Sequence, residues 1–356
     1  MKRFLIFSAL ILALSSLVSA QAQTWSADTL GGKFEVRYFD QGRDYSGPVR
    51  SSVVRLQSEQ PSDVAALYIH GFNDYFFQTE LAEKFVQHGY GFYAVDLRKY
   101  GRSLTAGQKR CQVRSFKEYF PDIDSALSVI AADGYKKIVL MGHSTGGLVA
   151  AFYLAHHPDV PIDALLLSSP FLDWNLGKKE CLVGVVAGLG AVLPNVSFKS
   201  GSGRAYGESL NRRFHGEWTY DTLWKSLDPT KVDLGWVRAV NSAQNYLKHH
   251  TMRIDQPILL MYSARSIDAV DWSPEVNRAD AVLDVADIRK YGMQLGPHVT
   301  AIKVEGGMHD LILSARDVRE PLYDYIFAWL AERVPTPENH STIDRPAVNI
   351  YCRTGF

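Results

Sequence analysis

Residues 137–158 read KIVLMGHSTGGLVAAFYLAHHP: an apolar strand runs straight into a helix, and a serine stands between glycines at the junction. Glycine weakens the interior of either element. Gly142, Gly146 and Gly147 together therefore mark an unusual backbone. Gly142-His143-Ser144-Thr145-Gly146 fits the pattern G-x-S-x-G in its strand–turn–helix setting. A serine in so tight a turn needs small residues two places to either side. The helix that starts there points its free N–H groups at the site where negative charge would develop on an attacked carbonyl. Two readings of Ser144 compete, a nucleophile and the plain N-cap of a helix.

Around this junction the chain alternates between strands and helices. VAALYIHG is an apolar strand ending at a turn, FFQTELAEKFVQHG a helix, YGFYAVDLRKYGRS a strand entering a loop, and SFKEYFPDIDSALSVIAADG a helix from Ser115 onward. IDALLLSSP, QPILLMYS and HVTAIKVEGG supply later strands, and DVREPLYDYIFAWLAERV a closing helix. FEVRYFDQG and SSVVRLQ alternate well enough to open the fold as an antiparallel pair. The class is α/β, with a mostly parallel central sheet flanked by helices. From residue 171 to residue 255 the βα rhythm stops, and CLVGVVAGLGAVLPNV and GWVRAVNSAQNYLKHH describe an inserted, mainly helical cap. The insertion divides a core into residues 23–170 and 256–334, and a polar tail occupies residues 335–356.

The 356 residues carry 38 basic and 38 acidic side chains, which gives no global reason to expect nucleic acid as a partner. MKRFLIFSALILALSSLVSAQAQ opens with Lys2 and Arg3, continues with an apolar run and ends in small residues. It reads as an export signal over residues 1–22, cleaved near Ala20 or Ala22, and places the mature chain outside the cell or in a periplasm. Of three cysteines, Cys111, Cys181 and Cys352, two could pair in an oxidising compartment. No CxxC or cysteine-rich metal pattern is present.

A nucleophilic serine needs a base, an acid and an oxyanion hole. VEGGMHDLILS runs a strand into Gly306-Gly307 and then His309, at the carboxyl end where such sheets do their chemistry. His309 is the base by this reading, and His298 its nearest rival. The oxyanion hole would combine the Thr145 N–H with one from the loop YIHGFND, most directly that of Phe72. For the acid, the loop after PILLMYS offers Asp268, Asp271, Asp280, Asp284 and Asp287, and spacing alone leaves these open.

Three stretches, HGFNDYFFQTELAEKFVQHGYGFYAVDLRKYGRS, VLMGHSTGGLVA and VEGGMHDLI, resemble the α/β-hydrolase branch of monoglyceride lipases, lysophospholipases and S33-type serine peptidases. The resemblance implies an α/β-hydrolase fold. In that branch the acid lies in a pattern like S-A-D-R-V-V-D-P, about thirty residues before the histidine. ADAVLDV, residues 279–285, is similar to that pattern and carries the acid role over to Asp280, 29 residues before His309. It also implies an insertion, RSIDAVDWSPEVN, and SARS resembles the pattern's start with Arg265 where an Asp is expected.

The resemblance implies a serine hydrolase acting on a small-molecule or lipid ester, with no metal or organic cofactor. Two alternatives are an S33-type aminopeptidase, gripping a free amine with acids such as Glu180, Glu208, Glu217 and Asp221, and a binding module that keeps only the fold. Phe171, Trp174, Trp218, Tyr220, Trp224 and Trp236 give the cap an aromatic content that either packs it onto the sheet or lines an acyl pocket. The apolar CLVGVVAGLGAVLP reads first as a buried cap helix, with a lid or a face in transient contact with a lipid surface as the alternative.

Overall fold

The computed structural model describes residues 24–58, 62–199, 203–249 and 254–336. The export signal expected at residues 1–22, Cys352 and most of the tail lie outside the described residues.

The chain opens with β1 (Ser26–Ala27), β2 (Glu35–Asp44), β3 (Gly47–Leu56) and β4 (Val64–Ile69). There follow α1 (Thr79–Gln87), β5 (Gly91–Asp96), α2 (Phe120–Ala132), β6 (Lys137–His143), α3 (Thr145–His156) and β7 (Ala164–Ser168). The inserted region holds α4 (Val183–Val192), β8 (Ser197–Lys199), α5 (Ala205–Leu210), β9 (Lys231–Asp233) and α6 (Leu234–His249). The core resumes with β10 (Ile258–Ser263), α7 (Val285–Gly292), β11 (Val299–Val304) and α8 (Arg316–Arg333).

One nine-stranded sheet runs in the order β1-β2-β3-β5-β4-β6-β7-β10-β11. The contacts among β1, β2, β3 and β5 are antiparallel, and every contact from β5 through β11 is parallel. Every residue of β4 is buried, because helices cover both faces. Ala65, Leu67 and Ile69 join a core with Ile123 of α2, Val149 of α3 and Val240 of α6. Their alternates Val64, Ala66 and Tyr68 join a second core with Phe85 of α1 and Phe327 of α8. The period-two pleat of one strand thus feeds two separate cores.

Register places the site. Ile69 of β4 pairs with Gly142 of β6, so the YIHGFND loop and the serine turn leave the sheet side by side. Ser263 of β10 pairs with Val304 of β11, which sets the acid loop beside the histidine loop.

Sequence and structure differ in a few places. The helix expected from Ser115 starts as a 3-10 turn, Phe116–Tyr119, with a capping box between Ser115 and Glu118. Pro121 then sits in the first turn of α2, where its missing N–H is harmless. The two-stranded β8–β9 sheet inside the cap and helix α7 were not expected. The region 171–255 does hold an insertion rich in helix, but α6 packs on α3 as well as on α4. Its Val240 and Ala243 are fully buried in the main core, so α6 belongs equally to the layer covering the sheet. No described helix is long and apolar enough to cross a membrane.

Candidate active site

Ser144 follows β6 directly, with φ 52° and ψ −119°. This backbone is rare for a residue with a side chain and is held only by a surrounding structure that fixes it. The flanking glycines show how. A Cβ on Gly142 would lie 2.5 Å from the Gly146 carbonyl oxygen, and one on Gly146 would lie 2.3 Å from the carbonyl oxygens of Ile69 and His70. The turn is further tied down by the Ser144 N–H, which donates to the Ser168 carbonyl at 3.0 Å, and by the Phe171 N–H, which donates to the Ser144 carbonyl at 3.0 Å.

Although Ser144 stands at the N-cap position of α3, its side chain makes no capping hydrogen bond. Its Oγ lies 3.0 Å from His309 Nε2, and His309 Nδ1 lies 2.9 Å from Asp280 Oδ2. An ionised carboxylate accepts, so Nδ1–H donates to Asp280 and leaves Nε2 free to accept the serine proton. Asp280 is fully buried, and its other oxygen accepts the N–H groups of Val282 and Leu283, both at 2.8 Å. The imidazole is thereby fixed in one tautomer and one orientation.

The rivals fall elsewhere. Asp268 and Asp271 are exposed, and Asp284 caps α7 by accepting the Ala286 N–H at 2.8 Å. Asp287 lies on α7 itself. His298 is exposed just ahead of β11, at the amino end of the strands and away from Ser144.

Thr145 is the first residue of α3, so its N–H has no acceptor within the helix. The facing loop approaches closely: a Cβ on Gly71 would lie 3.2 Å from Ser144 Cβ. His70 shapes that loop. The Leu97 N–H donates to His70 Nε2 at 3.1 Å, which makes Nδ1 the protonated nitrogen, and Nδ1–H donates to the Gly71 carbonyl at 2.8 Å. Phe72 comes next, with its ring 4.6 Å from that of Trp236.

The expected aromatic residues divide into two groups. Phe171, Trp174 and Trp236 form a cluster with Phe72, beside the serine turn. Trp218, Tyr220 and Trp224 serve packing: Trp218 Nε1 donates to the Leu313 carbonyl at 2.7 Å, and Tyr220 and Trp224 pack on Phe77 and Tyr75.

Sequence reasoning missed a buried polar group behind the site: Asp74, His143, Asp310 and Lys225. Asp74 lies two residues past Phe72, His143 just before Ser144 and Asp310 just after His309, so three of the four lay inside motifs already noted. Lys225 had no such signal. Burial, and then the neighbouring His309, push His143 down from 6.5 to about 3, so it is neutral at working pH. Burial pushes Asp310 up from 3.8 to about 6.

A family model described as serine aminopeptidase, S33, matches residues 60–313. Phospholipase YtpA of Bacillus subtilis is 30% identical over 146 residues, 41% of this chain and 54% of that protein. A probable lysophospholipase L2 of Haemophilus influenzae is 34% identical over 94 residues, 26% of this chain and 30% of that protein. The matches thus span about half of one relative's length and under a third of the other's. Among solved structures, a monoacylglycerol lipase of Paleococcus ferrophilus superimposes with TM-score 0.60 at 20% identity, covering 79% of this chain and 99% of its own. A soluble variant of monoglyceride lipase from Saccharomyces cerevisiae, bound to a substrate analogue, gives TM-score 0.63 at 16% identity over 87% and 98%. At these identities the two structures share the fold.

Proposed function

This chain belongs to the serine aminopeptidase S33 family of α/β-hydrolases, and from that premise we propose that it is an exported serine hydrolase of carboxylic esters. The observation that carries the reading is the hydrogen-bonded series Ser144–His309–Asp280, with the Thr145 N–H at the start of α3 beside it. His309 Nε2 takes the Ser144 proton as Oγ bonds to the ester carbonyl carbon. The Thr145 and Phe72 N–H groups receive the oxyanion. Collapse breaks the ester bond, and the departing alcohol takes the proton from His309. Water then loses a proton to His309 as it attacks the acyl carbonyl carbon; collapse breaks the bond to Ser144 Oγ, which takes that proton from His309, and the acid leaves. Asp280 orients the ring and stabilises the imidazolium that exists between these transfers.

The substrate proposed is a monoacylglycerol, a lysophospholipid or a similar small ester. The two curated relatives, by name a phospholipase and a probable lysophospholipase, support a lipid ester. So does the aromatic cluster of Phe72, Phe171, Trp174 and Trp236 beside the serine turn, which suits an apolar acyl chain. Leu182, Val185, Leu189 and Val192 are all exposed on and next to α4, an apolar face suited to transient contact with a lipid surface. The Lys2-Arg3 start and apolar run of residues 1–22 support export.

Aminopeptidase action is the second reading, favoured by the description of the matching family. Its four candidate acids are engaged separately. Glu208 pairs with Arg204, Glu217 pairs with Arg319, Asp221 accepts the Leu223 N–H and Glu180 the Leu176 N–H. They offer no shared grip for a substrate amine. Turnover of p-nitrophenyl esters across chain lengths, beside aminoacyl anilides, separates the two readings. Ester turnover with inert anilides is expected; the reverse overturns the esterase reading.

A further inference from the structure

Three loops carry the acting groups of the site, and each also places a buried polar side chain at a common point. The ligand atoms of Asp74, His143 and Asp310 all lie within 4.8 Å of one another, and none of the three residues is more than 3% exposed. Two carboxylates so close and so dry repel each other unless a cation joins them. Such a set could hold a metal ion, but the chain supplies its own cation. Lys225 Nζ lies 2.9 Å from Asp74 Oδ1, and Lys225 is itself buried.

Lys225 comes from the inserted region, not from the core, and it does not act alone. Asn73, at φ 51°, donates from Nδ2 to the Ser226 carbonyl at 2.9 Å and accepts the Ser226 N–H at 3.3 Å. The Asp221 N–H donates to Tyr75 Oη at 2.7 Å, and the Tyr75 ring meets Trp224 edge-on at 5.0 Å. Residues 221–226 therefore grip Asn73, Asp74 and Tyr75, the three residues that follow Phe72. His70 holds the other side of Phe72 through the Gly71 carbonyl. A backbone N–H that must meet a developing oxyanion is useful only if its loop cannot drift.

We propose that Lys225 is a positioning residue through which the seated cap completes the active site. Its ammonium pairs with Asp74, locks the loop that carries the Phe72 N–H, and keeps that loop in register with Ser144 and His309. A cap that lifts removes the cation and releases the loop, so cap seating and nucleophile activation are coupled. His143, neutral in the same cluster, adds no competing charge. The inference rests on the serine-hydrolase reading above, but not on the ester being the natural substrate.

The test compares full-length wild type with Lys225→Met, Lys225→Arg and the double variant Asp74→Asn/Lys225→Met. Two readouts are taken: turnover of p-nitrophenyl acetate per titrated site, and the rate of Ser144 labelling by a fluorophosphonate. Lys225→Met should lose about 100-fold in kcat, the size of a lost oxyanion donor, with KM changed less than about threefold. Its labelling rate should fall in parallel, and Lys225→Arg should recover to within about threefold of wild type. If Lys225→Met does not fold, the double variant, which removes both members of the Asp74–Lys225 ion pair, replaces it, with a kcat still at least about tenfold low. A folded Lys225→Met or double variant that matches wild type in both readouts overturns the inference, as does Lys225→Arg no better than Lys225→Met. Wild type that labels normally but hydrolyses no ester contradicts the esterase reading alone, and the labelling rates still decide the role of Lys225.

Discussion

Ser266 and Asp280 pair as an isolated parallel bridge, and that contact sets the Asp280 carboxylate within reach of His309. The Ile267 N–H donates to the Asp280 carbonyl, and the Asp280 N–H donates to the Arg265 carbonyl, both at 2.9 Å. The segment between 267 and 279 is looped out and returns to where it left. The looped-out segment therefore leaves Asp280 next to the end of β10. Arg265, which occupies the acid's expected place in the sequence pattern, lies alongside Asp280 in this bridge.

Asp280→Asn is therefore expected to lower kcat by roughly 10⁴-fold, because an amide there favours the wrong imidazole tautomer. Asp268→Asn, at an exposed position in the looped-out segment, should stay within about twofold. Steady-state hydrolysis of p-nitrophenyl butyrate measures both. Loss in the second with activity kept in the first would reassign the acid.

Two glycine substitutions should move stability in opposite directions. Alanine at Gly146 would drive its Cβ against two backbone oxygens at 2.3 Å, so Gly146→Ala should destabilise by about 3 kcal/mol and abolish turnover. Gly188 on α4 is exposed, with nothing within 4 Å of an added Cβ, so Gly188→Ala should stabilise by roughly 0.5–1 kcal/mol. Urea midpoints read both, and an unchanged Gly146→Ala would mean that the turn is slack.

Acid should weaken the fold through His143. The folded chain keeps this ring neutral down to about 3, whereas the unfolded chain protonates it below its ordinary 6.5. The unfolded state thus binds more protons between those values, and stability falls on acidification by up to about 1.4 kcal/mol per pH unit. Asp310, raised to about 6, has the opposite sign: its folded form takes a proton first and favours folding as pH drops through 6 towards 3.8. His143→Gln removes the first slope and leaves the second. Urea midpoints between pH 6.5 and 4.5 should therefore fall less in the variant than in wild type. Equal slopes would show that His143 does not titrate this way.

If the apolar face of α4 meets lipid, polar replacements there should act on dispersed substrate only. Val185→Ser/Leu189→Ser/Val192→Ser should leave p-nitrophenyl acetate turnover within about twofold, because these side chains are exposed and distant from packing. Binding to phosphatidylcholine vesicles should drop at least about tenfold, each exposed aliphatic side chain contributing roughly 1.5–3 kcal/mol when buried in lipid. Unchanged vesicle binding would assign that face to something else.

Much of this site was legible in the sequence because its parts are local. The glycines around Ser144 and the strand ahead of His309 announce backbone geometry within a few residues. Asp280 needed a resemblance, since the bridge to Ser266 is a tertiary contact that spacing does not reveal. Lys225 was invisible for the same reason: 151 positions separate it from Asp74, and an isolated lysine reads as solvated surface. Helix α7 escaped notice because VADIRKYG spans barely two turns, and its cap, Asp284, also looked like a candidate acid. GWVRAVNSAQNYLKHH, which covers most of α6, reads as a helix, but nothing in it tells which neighbour it faces.

The central claim is that ester hydrolysis passes through an acyl group on Ser144. Rapid mixing with a p-nitrophenyl ester, followed by acid quench and peptide mass analysis, tests it directly. The expected result is a burst of one p-nitrophenol per site and an acyl adduct on the Ser144 peptide, both absent in Ser144→Ala. Undiminished ester turnover by Ser144→Ala, with no adduct on the wild-type peptide, would contradict it.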